Sequence, residues 1–166
     1  MSRGFVKEDD QEEAPIIPPR AALPEGVTNY VTPEGKKLLE DEKTTIEEQI
    51  HNLSETDERE RRRALAVLDG TLNLLKERLT SARILDPKEQ PEDTIRFGAK
   101  VSYIMQRNPR LLHFTIVGVD EADVQKQKIA FIAPIAKAVT GKKVGDIVEF
   151  QLGTESRRLE IKGIEY

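Results

Sequence analysis

Leu65-Ala66-Val67-Leu68-Asp69-Gly70-Thr71-Leu72-Asn73-Leu74-Leu75-Lys76-Glu77-Arg78-Leu79-Thr80-Ser81-Ala82 decides how this chain folds. Leu65, Leu68, Leu72, Leu75, Leu79 and Ala82 recur at alternating steps of three and four, the seam of a coiled coil. Upstream, Leu39, Ile46 and Leu53 recur every seven residues. Two such stripes in one short stretch predict an antiparallel helical hairpin. Facing residues of such a hairpin have numbers with a constant sum, which sets Leu39 opposite Leu79, Ile46 opposite Leu72, Ile50 opposite Leu68 and Leu53 opposite Leu65. The turn then falls near Arg59. Around it runs Glu55-Thr56-Asp57-Glu58-Arg59-Glu60-Arg61-Arg62-Arg63, with no apolar residue. Such a run at the far end of a hairpin is solvated filler or a working tip.

Thr32-Pro33-Glu34 reads as the start of the first helix. Thr32 can cap, Pro33 suits a position whose N–H has no partner, and Glu34 complements the dipole. The first helix is predicted to reach about Leu53, and the second to end near Ile84, before Asp86-Pro87. Each is then about 22 to 26 residues, on the order of 35 Å. Glu42 and Gln49 fall near core layers and weaken the first stripe. Two helices bury little alone, so the hairpin needs a neighbour at its base.

Residues 1–30 read as an extended or disordered tail. Lys7 to Glu13 is acidic, and Pro15-Ile16-Ile17-Pro18-Pro19-Arg20 favours extended backbone, as in a mobile linker. Ile16, Ile17 and Leu23 are its candidates for docking on a partner or on the rest of the chain.

Beyond the hairpin (residues 31–85) a polar linker (86–94) carries Pro87 and Pro91, and the period changes to two. Ile95 to Ile104 and Leu111 to Val119 read as strands around a turn at Arg107-Asn108-Pro109-Arg110. Ile129 to Ile132 reads as a short third strand, and Pro134 to Val139 as a short helix. Ile147 to Leu152 and Arg158 to Ile164 form a last hairpin. The fold class is therefore α+β, a coiled-coil hairpin followed by a small antiparallel sheet domain (95–166) with one short helix.

Composition narrows the function. Charged residues make up 34%, aromatics 5%, and the net charge is -4. That balance argues against non-specific nucleic-acid binding by the whole chain. There is no cysteine, which excludes disulfides, thiol catalysis and cysteine-ligated metals. No apolar run approaches the roughly 20 residues of a membrane span, and the first residues lack a signal-peptide pattern. The expectation is a cytoplasmic protein that does not engage membranes. His51 and His113 have no partners at ligand spacing. The serines lack a nucleophile-elbow context, and no glycine-rich phosphate loop follows a strand. The reading is of a protein with no catalytic residues, no metal site and no cofactor.

Phe97-Gly98-Ala99-Lys100-Val101, Ile116-Val117-Gly118-Val119-Asp120-Glu121-Ala122-Asp123, Pro134-Ile135-Ala136-Lys137-Ala138 and Gly141-Lys142-Lys143-Val144-Gly145-Asp146 resemble, in order and spacing, the C-terminal domain of the bacterial Gre transcription elongation factors. Thr32-Pro33-Glu34-Gly35 resembles the opening of their first coiled-coil helix. The resemblance implies an FKBP-like sheet domain without isomerase activity. It implies RNA polymerase as partner, the sheet domain docking on the rim of its secondary channel and the coiled coil entering. It assigns docking to Asp120, Glu121, Ala122, Asp123, Pro134, Ile135 and Ala136. The hairpin register makes Glu55, Asp57, Glu58, Arg59, Glu60 and Arg61 the coiled-coil tip, and the resemblance implies indirect contact there with nascent RNA and the active-site Mg²⁺. In the family, two tip acids help hold that ion and a water for cleavage of backtracked RNA. The family's Asp-Leu-Lys-Glu-Asn-Ala-Glu-Tyr type tip is missing here. The hairpin is also shorter, by roughly two turns per helix or about 10 Å. The expectation is a monomeric regulator of elongation in which stimulation of cleavage is weak or absent. The alternative is a coiled-coil adaptor or self-associating protein unrelated to polymerase.

Overall fold

The computed structural model describes residues 13–166. The Lys7–Glu12 part of the acidic run lies outside these residues.

The first helix, α1, spans Pro33–His51, and the second, α2, spans Glu58–Ser81. Thr32 caps α1 as its sequence predicts: its side chain accepts the Gly35 N–H, and Pro33 fills the first helical position. Asp57 caps α2, accepting from the N–H groups of Arg59 and Glu60. Val31, Leu39, Ile46, Leu72 and Leu75 form the hairpin's buried core, with Ile50, Leu68, Leu79 and Ala82 half-buried around it.

The register differs from the expected one. The connection runs from Asn52 to Asp57, and Arg59 already lies in the first turn of α2. The turn is thus centred near Ser54 and Glu55. That brings Leu39 roughly level with Leu72, one heptad from the partner predicted for it. A heptad seam reads the same after a shift of seven, so apolar matching alone could not separate the two registers. Leu53 consequently falls in the connection. The second helix also stops three residues earlier than expected, because Ala82 is extended.

The hairpin is closed at its base by two short strands that the sequence analysis missed. β1 (Tyr30–Val31) pairs in parallel with β2 (Arg83–Ile84). Asn29 adds to this closure, donating from Nδ2 to the Arg78 carbonyl and to Ser81 Oγ at the end of α2.

The sheet module carries β3 (Lys100–Met105), β4 (Asn108–Val117), β5 (Lys128–Ala130), β6 (Ile147–Leu152) and β7 (Glu155–Glu165), in the order β5-β4-β3-β7-β6. The helix α3 (Pro134–Val139) lies between β5 and β6 in sequence and buries Ala136 and Val139 in the module's core. That core also holds Ile95, Val101, Phe114, Ile116, Val148, Phe150, Leu159 and Ile161. The α+β class is as the sequence predicts. The sheet departs from pure antiparallel order at β5, which runs parallel to β4. The link between them turns through a short 3-10 segment at Val124–Lys126, after which Gln127 takes a left-handed conformation (φ 57°). Ile95 to Ala99 is not strand. Gly98 at φ 88° breaks it, and its Cβ position is filled by the Pro87 ring.

The C-terminal residue ties the linker down. The Tyr166 hydroxyl donates to the Thr94 carbonyl (2.5 Å) and accepts from the Arg96 N–H (2.8 Å). Tyr166→Phe removes both bonds and is expected to cost about 1–2 kcal/mol in denaturant unfolding. Burial raises the Tyr166 phenol above its ordinary range, and likewise that of Tyr103. A folded state that holds these protons more tightly keeps its full stability below the unfolded pKa of about 10 and loses it as pH rises further. The Phe variant should therefore lose less stability than the parent as pH rises above about 10.

Candidate functional site: the hairpin tip and the loops at its base

Parallel pairing of β4 with β5 has a direct consequence for the base. Both strands end on the same side of the sheet, so the Gly118–Asp123 loop and the Phe131–Pro134 segment leave it together. Two runs that the sequence separates are thereby gathered at one end. The hairpin's base meets the same end. Tyr30 contacts the rings of Phe97 and Phe131 at centroid distances of 6.0 and 5.8 Å. Gly118 lies so close to β1 that an added Cβ would sit 2.6 Å from the Tyr30 carbonyl oxygen.

The seven residues assigned to docking do not share one environment. Asp120 is turned inward, its side chain only 6% exposed. One carboxylate oxygen accepts from Arg20 Nε (3.0 Å) and the other lies 3.4 Å from Arg78 Nη1. Glu121 is 7% exposed and accepts the Thr32 hydroxyl proton. It thus completes the cap of α1 from the sheet module, since that hydroxyl also accepts the Gly35 N–H. Ala136 is fully buried and Ile135 packs on the sheet core. Asp123 holds its own loop, accepting the Gln125 N–H on Oδ1. Ala122 and Pro134 are exposed. In this conformation, then, Ala122, Pro134 and the half-exposed Asp123 are the members that face solvent.

At the other end of the hairpin the acids are close together but partly engaged. Asp57 Oδ1 accepts two backbone N–H groups of α2, at 2.9 and 3.1 Å. Glu55 Oε1 accepts the Asp57 N–H at 3.2 Å. Glu58 and Glu60 occupy the first turn of α2, where negative charge is favoured by the exposed N–H groups. Arg59 and Arg61 follow on the same turns and are exposed. Among the described residues, no group of three or more His, Asp or Glu side chains is placed to hold a metal ion. His113 bonds Ser102 Oγ through Nδ1 (2.9 Å), and His51 is exposed in the last turn of α1.

Sequence reasoning missed Arg20, Arg78 and Asn29. Their partners are far away in the chain, and no local pattern marks such residues. Glu42, which reads as a flaw in the α1 stripe, is a partner too: it receives Arg20 in a bidentate pair at 2.8 and 3.0 Å.

Residues 90–166 match the family described as "Transcription elongation factor, GreA/GreB, C-term". Transcription elongation factor GreA of Rickettsia canadensis (strain McKiel) is 35% identical over 135 residues, which cover 80% of this chain and 82% of the relative. The chain belongs to the GreA/GreB family of transcription elongation factors. The GreA of Rickettsia felis is 36% identical over an equal span. Among solved structures, this GreA/GreB family member is similar to the GreA factor homolog 1 protein of Thermus thermophilus, at 20% identity and a TM-score of 0.40. That match covers 84% of this chain and all (100%) of the other. The Nitrosomonas europaea GreA/GreB structure is 21% identical with a TM-score of 0.41, covering 82% and 98%. No helix among the described residues of this family member is long and apolar enough to cross a membrane.

Proposed function

We propose that this elongation factor binds RNA polymerase through the loops at its hairpin base and places the hairpin in the secondary channel, where it acts by occupancy with little stimulation of RNA cleavage. Family membership supports the polymerase part. The observation that carries the second part is the use of the tip carboxylates. A carboxylate that delivers a metal ion needs its oxygens free for the ion and its waters. Here one oxygen of Asp57 is held by two α2 N–H groups, and Glu55 is bonded to the Asp57 N–H. In the same run Arg59, Arg61, Arg62 and Arg63 offset the charge of Glu55, Asp57, Glu58 and Glu60, which weakens the pull of this end on a cation.

The reading gives the base and the tip separate tasks. Pro134, Ala122 and Asp123 offer the polymerase a small surface, and the paired helices, about 29 and 36 Å long at 1.5 Å per residue, supply the reach. No chemistry is asked of the chain itself. Halted, backtracked elongation complexes test it. Core polymerase should retain the protein at micromolar concentration, and transcript cleavage should stay close to the factor-free rate. The Asp57→Ala, Glu58→Ala double variant should behave like the parent. Strong cleavage that disappears in this variant would overturn the occupancy mechanism, and failure to bind polymerase would remove the docking.

A further inference from the structure

Residues 15–29, which precede the hairpin, run along it. Ile17 lies against Gly70 of α2, so close that a Cβ on that glycine would sit 2.1 Å from Ile17 Cδ1. Three residues on, Arg20 leaves the segment and enters the crevice between hairpin and sheet module, where its side chain is 15% exposed. It holds both oxygens of Glu42 on α1 and one oxygen of Asp120 on the sheet module. The next carbonyl, that of Ala21, accepts from Arg78 of α2, and Arg78 also reaches Asp120 (3.4 Å). The chain then turns at Pro24–Val27, with Gly26 at φ 78°, and enters β1 through Asn29.

We propose that residues 15–29 are an intramolecular strap, and that Arg20 is the pin fixing the angle of the hairpin to the sheet module. The geometry distinguishes this from a mere surface contact. Arg20 is the one residue of the strap whose side chain bonds both bodies, and its planar fork suits two carboxylates at once, which an ammonium group does not. The hydrogen bonds it donates to Glu42, then the nearby charge of Asp120, raise its pKa above the ordinary arginine value despite partial burial. Other ties between the bodies include the Thr32–Glu121 bond, the Arg78–Asp120 pair, the Tyr30 ring contacts and the close approach of Gly118 to the Tyr30 carbonyl, gathered at the hairpin base. They form a small patch that resists separation better than rotation. The strap adds the lever: Glu42 lies ten residues along α1, about 15 Å from its start. Drawing the strap away frees the hairpin to swing on that patch. The inference concerns the free protein and stands whether or not the protein binds polymerase.

The absence of native cysteine makes a distance measurement clean. Spin labels at Ser54→Cys in the tip connection and Thr154→Cys in the β6–β7 turn report the angle between the bodies in the full chain. The parent should give one narrow distance distribution. Arg20→Ala should at least double its width, with Arg20→Lys in between. Glu42→Gln is the second variant. It leaves Asp120 and both arginines in place, and it should also broaden the distribution and speed trypsin cleavage after Arg20 at least fivefold. Helix content by circular dichroism, unchanged in all three, separates loosening from unfolding. An unchanged width in both Arg20→Ala and Glu42→Gln would overturn the proposal and leave the patch around β1 as the sole determinant of the angle.

Discussion

Asp120→Ala is expected to cost about 2–3 kcal/mol in chemical denaturation, more than any other single change in the loops at the hairpin base. The reason is what the substitution leaves behind. Arg20 and Arg78 have side chains only 15% and 14% exposed, and both point at the Asp120 carboxylate. Removing that carboxylate leaves Arg20 with Glu42 as its one carboxylate partner and Arg78 with the Ala21 carbonyl alone, in a partly dry crevice. Breaking a fully buried pair from one side costs about 3–5 kcal/mol, and partial access to water lowers the figure here. Asp120→Asn keeps the shape and two polar atoms but not the charge, and should recover less than half of the loss. Unfolding curves of the three proteins check this. A loss under about 0.5 kcal/mol for Asp120→Ala would place this pair with ordinary exposed ion pairs.

Gly118→Ala should be nearly as damaging, by a different route. An added methyl group would lie 2.6 Å from the Tyr30 carbonyl oxygen, and that acceptor is backbone. A flexible side chain could rotate away; a strand cannot. Either the hairpin base shifts away from the sheet module or the loop distorts, and overpacking of this kind costs about 1–3 kcal/mol. The Tyr30 contacts with Phe97 and Phe131 should loosen with it. The check is twofold: a fall in unfolding free energy, and a change in near-UV circular dichroism in the tyrosine region. A variant as stable as the parent, with the parent spectrum, would show that the close approach carries no constraint.

These expectations rest on contacts of very different legibility. The cap of α1 was readable, because Thr32, Pro33 and Gly35 are neighbours in sequence and the chemistry of a helix start is local. The existence of the hairpin was readable from period alone, but its register was not. The place of the connection Asn52–Asp57, rather than the heptad spacing, sets it. The short helix Pro134–Val139 and the strand Ile147–Leu152 fall where their residues predict, since both are bounded by strong punctuation. The parallel edge strand was hidden, because the connection that carries the chain back to its start includes a left-handed residue, Gln127, that is not glycine. The strap was hidden more deeply. A proline-rich segment has no period, and Arg20 finds its partners 22 and 100 positions away. For the same reason Asp120 and Glu121 read as surface residues although both are turned inward.

The first turn of α1 is completed by Glu121, a residue 89 positions downstream. The hairpin is therefore not a cassette. Transplanted onto an unrelated support, Thr32–Ser81 would arrive with its capping hydroxyl stripped of its buried acceptor and with Glu42 facing an empty crevice. A working graft must carry the Gly118–Asp123 loop along with it, and exchange of arms between distant relatives will succeed only where donor and recipient agree at that corner.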